Sequence, residues 1–253
     1  MVIKKIILLF VIGFLPIISV AQNKGDFIIG PVFGINYATA VGDGIDSLNQ
    51  QMRGQAELYN IIDGVSISGE ISSRTGFNAG FFLDYYFINN IAFCTGLSYS
   101  QKGYVVKNSF DLTIGYDYTF DEVRKVNLNY LDFPLLLKYH FNNGIEFSGG
   151  LLLSFLESDK VLIESTEIYQ TNDSISGNII TITEHTSDRE DYNDIVDDNE
   201  ANALVYGLQL GLSYTIKRLN FSLKFNKNSS FGKIVDMKNN QNINLQFCTG
   251  YSF

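Results

Sequence analysis

Five ionisable side chains sit among large apolar neighbours. They are Asp84 in FFLDYYF, Lys138 and His140 in LLLKYHF, Glu146 in GIEFSGG and Lys224 in SLKFN. Each falls on the small, polar face of a segment that alternates with a period of two residues. His140 and Glu146 flank the short turn Asn142-Asn143-Gly144, so a hairpin there would set them opposite each other. Two kinds of chemistry suit such a set. Carboxylates and cations neutralise one another when buried, as a salt-bridge network. The same groups, with a histidine among them, can form a catalytic or proton-conducting cluster where a pathway reaches them. Buried charge survives when paired, so we read the five as a structural network.

Three other groupings invite chemistry. His185, Ser187, Asp188 and Asp191 lie together in EHTSDRED, and some small membrane barrels use His, Ser and a carboxylate at their rim to modify lipid. A triad needs convergence in space and an oriented base, which adjacency in sequence does not supply. No catalytic residue is therefore assigned, and the chain is read as a non-enzyme. The run from Asp188 to Glu200 is crowded with carboxylates that suit Ca²⁺ or Mg²⁺, yet it lacks the glycine and ligand order of an EF-hand. It reads as a solvated loop, with no metal or other cofactor. The two cysteines, Cys94 and Cys248, are too few for a disulfide framework. They read as small buried residues, with a cross-lumen disulfide as the alternative.

The elements that position these residues are strands. Apolar alternation marks eight: Phe27 to Tyr37, Phe77 to Phe87, Ile91 to Tyr99, Phe133 to Phe141, Ile145 to Phe155, Leu204 to Tyr214, Leu219 to Phe225 and Ile243 to Phe253. Leu128 and Tyr130 fall out of phase with the fourth, which predicts a bulge or strand end near Leu131. Short turns around Asn89-Asn90, Asn142 to Gly144 and Lys217-Arg218 alternate with long connections over 38–73, 106–125, 157–201 and 228–240. Within the third, two β-branched runs flank Ser174 to Gly177 and predict a projecting hairpin. An up-and-down meander then gathers the short turns at one end and the long loops at the other, an asymmetry of outer-membrane barrels.

A soluble barrel shares the two-residue period, with its apolar face inward. Here the polar face is mostly Gly, Ser, Ala and Asn, which suits a narrow eight-stranded lumen, while Phe and Tyr cluster near the strand ends of the other face. Twenty Phe, fifteen Tyr, twenty-two Gly and three Pro among 253 residues agree with strands. The formal charge of −9 is concentrated in Glu157 to Glu200, where thirteen acids oppose two bases; this argues against nucleic acid as a partner. At the start, Lys4-Lys5, the apolar run Ile6 to Ile18 and Ser19-Val20-Ala21 read as a signal peptide over 1–21. The expectation is an all-β chain, an eight-stranded antiparallel up-and-down transmembrane β-barrel over 22–253, with a long acidic extracellular loop over 157–200.

YLDFPLLLKYHF (Tyr130 to Phe141), GFNAGFFLDYYF (Gly76 to Phe87), CTGLSYSQKGY (Cys94 to Tyr104) and the final FCTGYSF resemble the PorT-like outer-membrane β-barrel family of Bacteroidota. The resemblance implies an eight-stranded barrel in the bacterial outer membrane, without a catalytic motif. One named branch of that family serves in type IX protein secretion, so an accessory role in a secretion or envelope complex is the alternative to surface interaction through loops 1 and 3. Expected partners are outer-membrane lipid, the barrel-assembly machinery during biogenesis and a protein partner at those loops. A lipid-modifying enzyme and a narrow pore are weaker readings. The final strand should close the cylinder against the first. Phe247, Tyr251 and Phe253 resemble the recognition signal of the assembly machinery.

Overall fold

A computed structural model of the chain describes residues 23–113, 117–141, 143–172, 179–191, 204–230 and 241–253. The signal segment read over 1–21, the turn at 174–177 and the acidic stretch from 192 onward lie outside the described residues. The elements are β1 (Phe27–Val41), α1 (Asp43–Tyr59), β2 (Val65–Ile88), β3 (Ile91–Leu112), β4 (Tyr118–His140), β5 (Ile145–Asn172), β6 (Ile179–Asp191), β7 (Leu204–Ile216), β8 (Leu219–Ser230) and β9 (Gln241–Tyr251). No helix among the described residues is long and apolar enough to cross a membrane.

Eight strands form a closed ring of antiparallel neighbours, running β1 to β5 and then β7, β8 and β9. The seam is β9 against β1, with Gly250 opposite Val32 and Gln241 opposite Val41. Closure leaves no free edge around the ring, the condition for a sheet in hydrocarbon. The tight turns use positive φ at Asn90 (70°), Gly144 (84°) and Lys217 (56°). Asparagine and glycine tolerate that region readily; lysine does so less often.

Alternation decides which side each residue takes. Phe33, Ile35, Phe81, Leu97, Leu137, Leu151, Leu208 and Phe247 point outward and are exposed, whereas Asn36, Asn78, Asp84, Gln209, Asn226 and Asn244 point inward and are buried. Between Phe27 and Tyr37 on β1, and opposite them on β2 and β9, the outward face carries no charged residue. Aromatic rings gather at its two margins, with Phe27 stacked on Tyr85 at 4.6 Å and Phe77 near Tyr99 at 5.7 Å. This is an apolar belt with girdles, inverted relative to a soluble barrel.

Two expectations are corrected. The connections over 38–73, 106–125 and 157–201 are largely ordered. β2 to β5 continue well past the belt, β6 adds to β5, and α1 occupies the first connection. Polar, β-branched alternation there is stabilised by neighbouring strands, so weak hydrophobicity did not end the sheet. The irregularity expected near Leu131 lies at that level, beside Tyr130, but in the partner strand. β4 keeps one phase, with Val126, Leu128, Tyr130, Asp132, Leu136 and Lys138 all buried. The extra residue is Glu157 on β5, between the pairs Asn129–Ser158 and Tyr130–Leu156. It switches the inward set of β5 from Leu152 and Ser154 to Val161.

The interior is layered. Ile28, Tyr86 and Ala92 form an apolar floor near the tight turns. Polar and charged side chains fill the middle. At the far mouth Ala40, Tyr104, Val126, Leu128, Tyr130, Val161 and Val205 pack around Ile45, which α1 inserts from above. Side chains thus fill much of the lumen between the floor and the mouth.

Candidate functional site

The polar interior contains two ion-pair clusters. In the lower one, Lys138 Nζ donates to Asp84 Oδ2 at 2.5 Å and stands 3.4 Å from Glu146 Oε2. Glu146 also meets His140 Nδ1 at 3.1 Å and accepts from Thr215 Oγ1 at 2.9 Å and Asn220 Nδ2 at 3.2 Å. The pairing of His140 with Glu146 follows from the β4–β5 register across the turn. Lys224 lines the same cavity of about 50 Å³ without an ion pair or hydrogen bond among the described residues. Four of the five residues singled out in the sequence are therefore in direct contact, and the fifth faces them across a small space.

The second cluster was not anticipated. Lys102 Nζ donates to Asp132 Oδ1 at 2.7 Å and to Ser154 Oγ at 3.2 Å, and Ser154 donates to Asp132 at 2.5 Å. Lys102 also lies 4.9 Å from the Tyr130 ring centroid. A serine beside a lysine is one form of activated nucleophile. Here Ser154 is fully buried beneath the apolar mouth, and the lysine charge is committed to Asp132. The geometry is that of a buried ion pair, out of reach of any substrate. Parity was the available signal: counting by twos from Ala92 puts Lys102 inside, and counting back from Lys138 puts Asp132 there too. Ending the third strand at Tyr99 and breaking the fourth near Leu131 concealed both.

The remaining candidates separate. His185 Nδ1 contacts Thr166 Oγ1 at 3.0 Å on the neighbouring strand. Ser187 is opposite Glu164, and Asp188 points to the other face of β6. His185, Ser187 and Asp188 do not form a relay. No group of metal-ligating side chains occurs among the described residues. Cys94 and Cys248 are free and buried, and Cys248 Sγ accepts from Asn78 Nδ2 at 3.3 Å. Phe247 faces outward. Phe253 N–H donates to Ile29 O at 2.9 Å while its ring lies 5.1 Å from Tyr251.

Beyond the belt a different surface is built. β2, β3, β4, β5 and β6 form a sheet that rises past the ends of β1 and β9; at roughly 3.3 Å per residue, β5 alone carries about 50 Å of strand past Glu157. Lys125–Glu164 at 2.7 Å and Tyr169–Glu184 at 3.0 Å cross-link its strands. The hydrogen bond to Glu184 raises the Tyr169 phenol above its ordinary range. β6 pairs with β5 on one side, and its other edge has no strand partner among the described residues.

A family model described as "Outer membrane protein beta-barrel domain" matches residues 20–236. The chain belongs to that family. As a member of the outer membrane protein beta-barrel domain family it is an integral protein of the bacterial outer membrane, and its apolar belt is the surface that meets lipid. Among solved structures, Ail, the attachment invasion locus protein of Yersinia pestis, is 13% identical with a TM-score of 0.33, over 91% of this chain and 99% of that one. Neisserial surface protein A is 12% identical with a TM-score of 0.35, over 90% and 97%. OprG of Pseudomonas aeruginosa is 15% identical with a TM-score of 0.32, over 92% and 98%. Comparison with curated proteins gives no match.

Proposed function

We propose that the chain is a non-enzymatic display protein, whose barrel anchors in the outer membrane and whose projecting sheet binds a protein partner outside the cell. One observation carries this reading: the open edge of β6, whose backbone donors and acceptors can pair with an incoming strand. The lumen filled with buried side chains supports it, since a conducting or substrate-admitting barrel needs an open path. In this reading residues 1–21 are removed on export, Phe247, Tyr251 and Phe253 guide insertion by the assembly machinery, and the lower and upper ion pairs keep the lumen rigid.

The test places a photo-crosslinking residue at Thr183 on β6 and, separately, at Asn89 in a tight turn, in cells that make the protein natively. A discrete adduct from Thr183 with none from Asn89, in a protein whose barrel still folds when 160–198 is deleted, supports display. Adducts from Asn89 alone would place the partner in the periplasm and favour the accessory secretion role implied by the PorT-like resemblance.

A further inference from the structure

The tip of the projecting sheet carries an apolar patch that the barrel does not need. Leu58 is 69% exposed, Tyr59 46%, Ile61 80% and Ile62 48%. Among the described residues, the other strongly exposed large apolar side chains lie on the lipid-facing belt or its rim, with Ile168 as the exception. Four such residues within five positions form a contiguous surface of the kind that marks an interaction site.

The patch is held in place. Asn60 caps α1, its N–H donating to Ala56 O at 2.9 Å, and its side-chain oxygen accepts from Ile67 N at 2.7 Å. Val65 N donates to Ile62 O at 3.0 Å, and Thr113 N donates to Gly64 O at 2.6 Å, which ties the turn to the end of β3. A rigid presentation lowers the ordering cost of binding.

Its position and charge select the occupant. Fourteen residues along α1 separate Ile45 from Tyr59, so the patch stands up to roughly 20 Å from the barrel mouth where Ile45 is anchored, away from the lipid of its own membrane. Glu57 and Asp63 flank it in the chain, and Asp111 and Asp117 lie on the adjoining β3–β4 hairpin. No Lys or Arg occurs in 54–70 or 108–118. An apolar centre with an acidic rim is complementary to a segment of the opposite design. A second copy offers the same acids and would repel, as would an anionic lipid surface.

We propose that Leu58, Tyr59, Ile61 and Ile62 dock a cationic amphipathic segment of a partner protein, apolar along one face and flanked by Lys or Arg. This rests on the display reading and names the partner's chemistry.

The full chain in phosphatidylcholine nanodiscs is titrated with a synthetic Lys/Leu amphipathic helix and, separately, with a Glu/Leu helix of the same pattern. The Lys/Leu helix binds, more weakly as salt rises, and the Glu/Leu helix does not. The double substitution Ile61→Ser and Ile62→Ser, at exposed positions, weakens binding at least tenfold, and Glu57→Gln with Asp63→Asn flattens the salt dependence. Asp26→Asn, at the tight-turn end of the barrel, leaves binding unchanged. Equal binding of both helices, no effect of the isoleucine substitutions, or equal binding to empty nanodiscs would overturn the inference. So would a dimer in sedimentation that the isoleucine substitutions dissolve. If Thr183 captures a partner in cells while the tip fails these tests, the tip assignment falls and display stands.

Discussion

Lys102 and Asp132 illustrate what a single buried pair demands. Removing both charges from water is costly, and their contact at 2.7 Å compensates only while both are present. Lys102→Met leaves Asp132 charged and unpaired, so the unfolding free energy in lipid vesicles should fall by about 3 kcal/mol in a urea titration. Adding Asp132→Leu should recover most of that loss, because two apolar residues need no neutralisation. A double variant as weak as the single one would mean that the pair contributes through its hydrogen bonds to Ser154 instead. At this scale the sequence was legible by parity: Asp84, Lys138 and Glu146 lie inside strands whose phase is unmistakable. Lys102 was hidden because its strand loses apolar contrast after Tyr99, where the inward face itself becomes apolar at Tyr104 and the outward face meets water.

The elements that escaped prediction share a cause. β2, β5 and β6 beyond the belt alternate Ser, Thr and Glu with Val and Ile, a pattern too weak to separate from a loop without knowing that neighbours pair with it. The bulge at Glu157 changes which residues of β5 face inward, and only the register against β4 exposes it. α1 contains Gly44 and Gly54 and has no side-chain cap at its N-terminus, so local propensity argues poorly for it. Packing stabilises it: Ile45 is buried in the mouth and Met52 lies against Gly69 of β2. Ile45→Ala should therefore destabilise the mouth by about 2–4 kcal/mol while the belt stays intact. Faster hydrogen exchange confined to α1 and the upper inward residues of β4 would show this; global loss of the barrel would contradict the layered interior.

For the whole molecule, ring topology, strand count and the direction of the apolar face were all legible, because lipid outside and a narrow lumen inside impose opposite residue types on alternate positions. The projecting sheet was not legible as a sheet, although the hairpin within it was. Closure depends on β9, whose outward Phe247 and terminal Phe253 lie along the seam with β1. Deleting Phe253 should reduce the fraction of chain that reaches the outer membrane in compact, heat-modifiable form, and an unchanged fraction would remove it from the assembly signal.

The central claim is that a lipid-embedded barrel holds the β2–β6 sheet and its tip outside the cell, with the tight turns in the periplasm. Single cysteines replacing Ile61, Thr183 and Asn89, in a background with Cys94 and Cys248 replaced by alanine, can be labelled with a membrane-impermeant maleimide on intact cells. The account predicts immediate labelling at positions 61 and 183, and labelling at 89 only after the outer membrane is permeabilised. Labelling of position 89 on intact cells, with 61 and 183 protected, would contradict it.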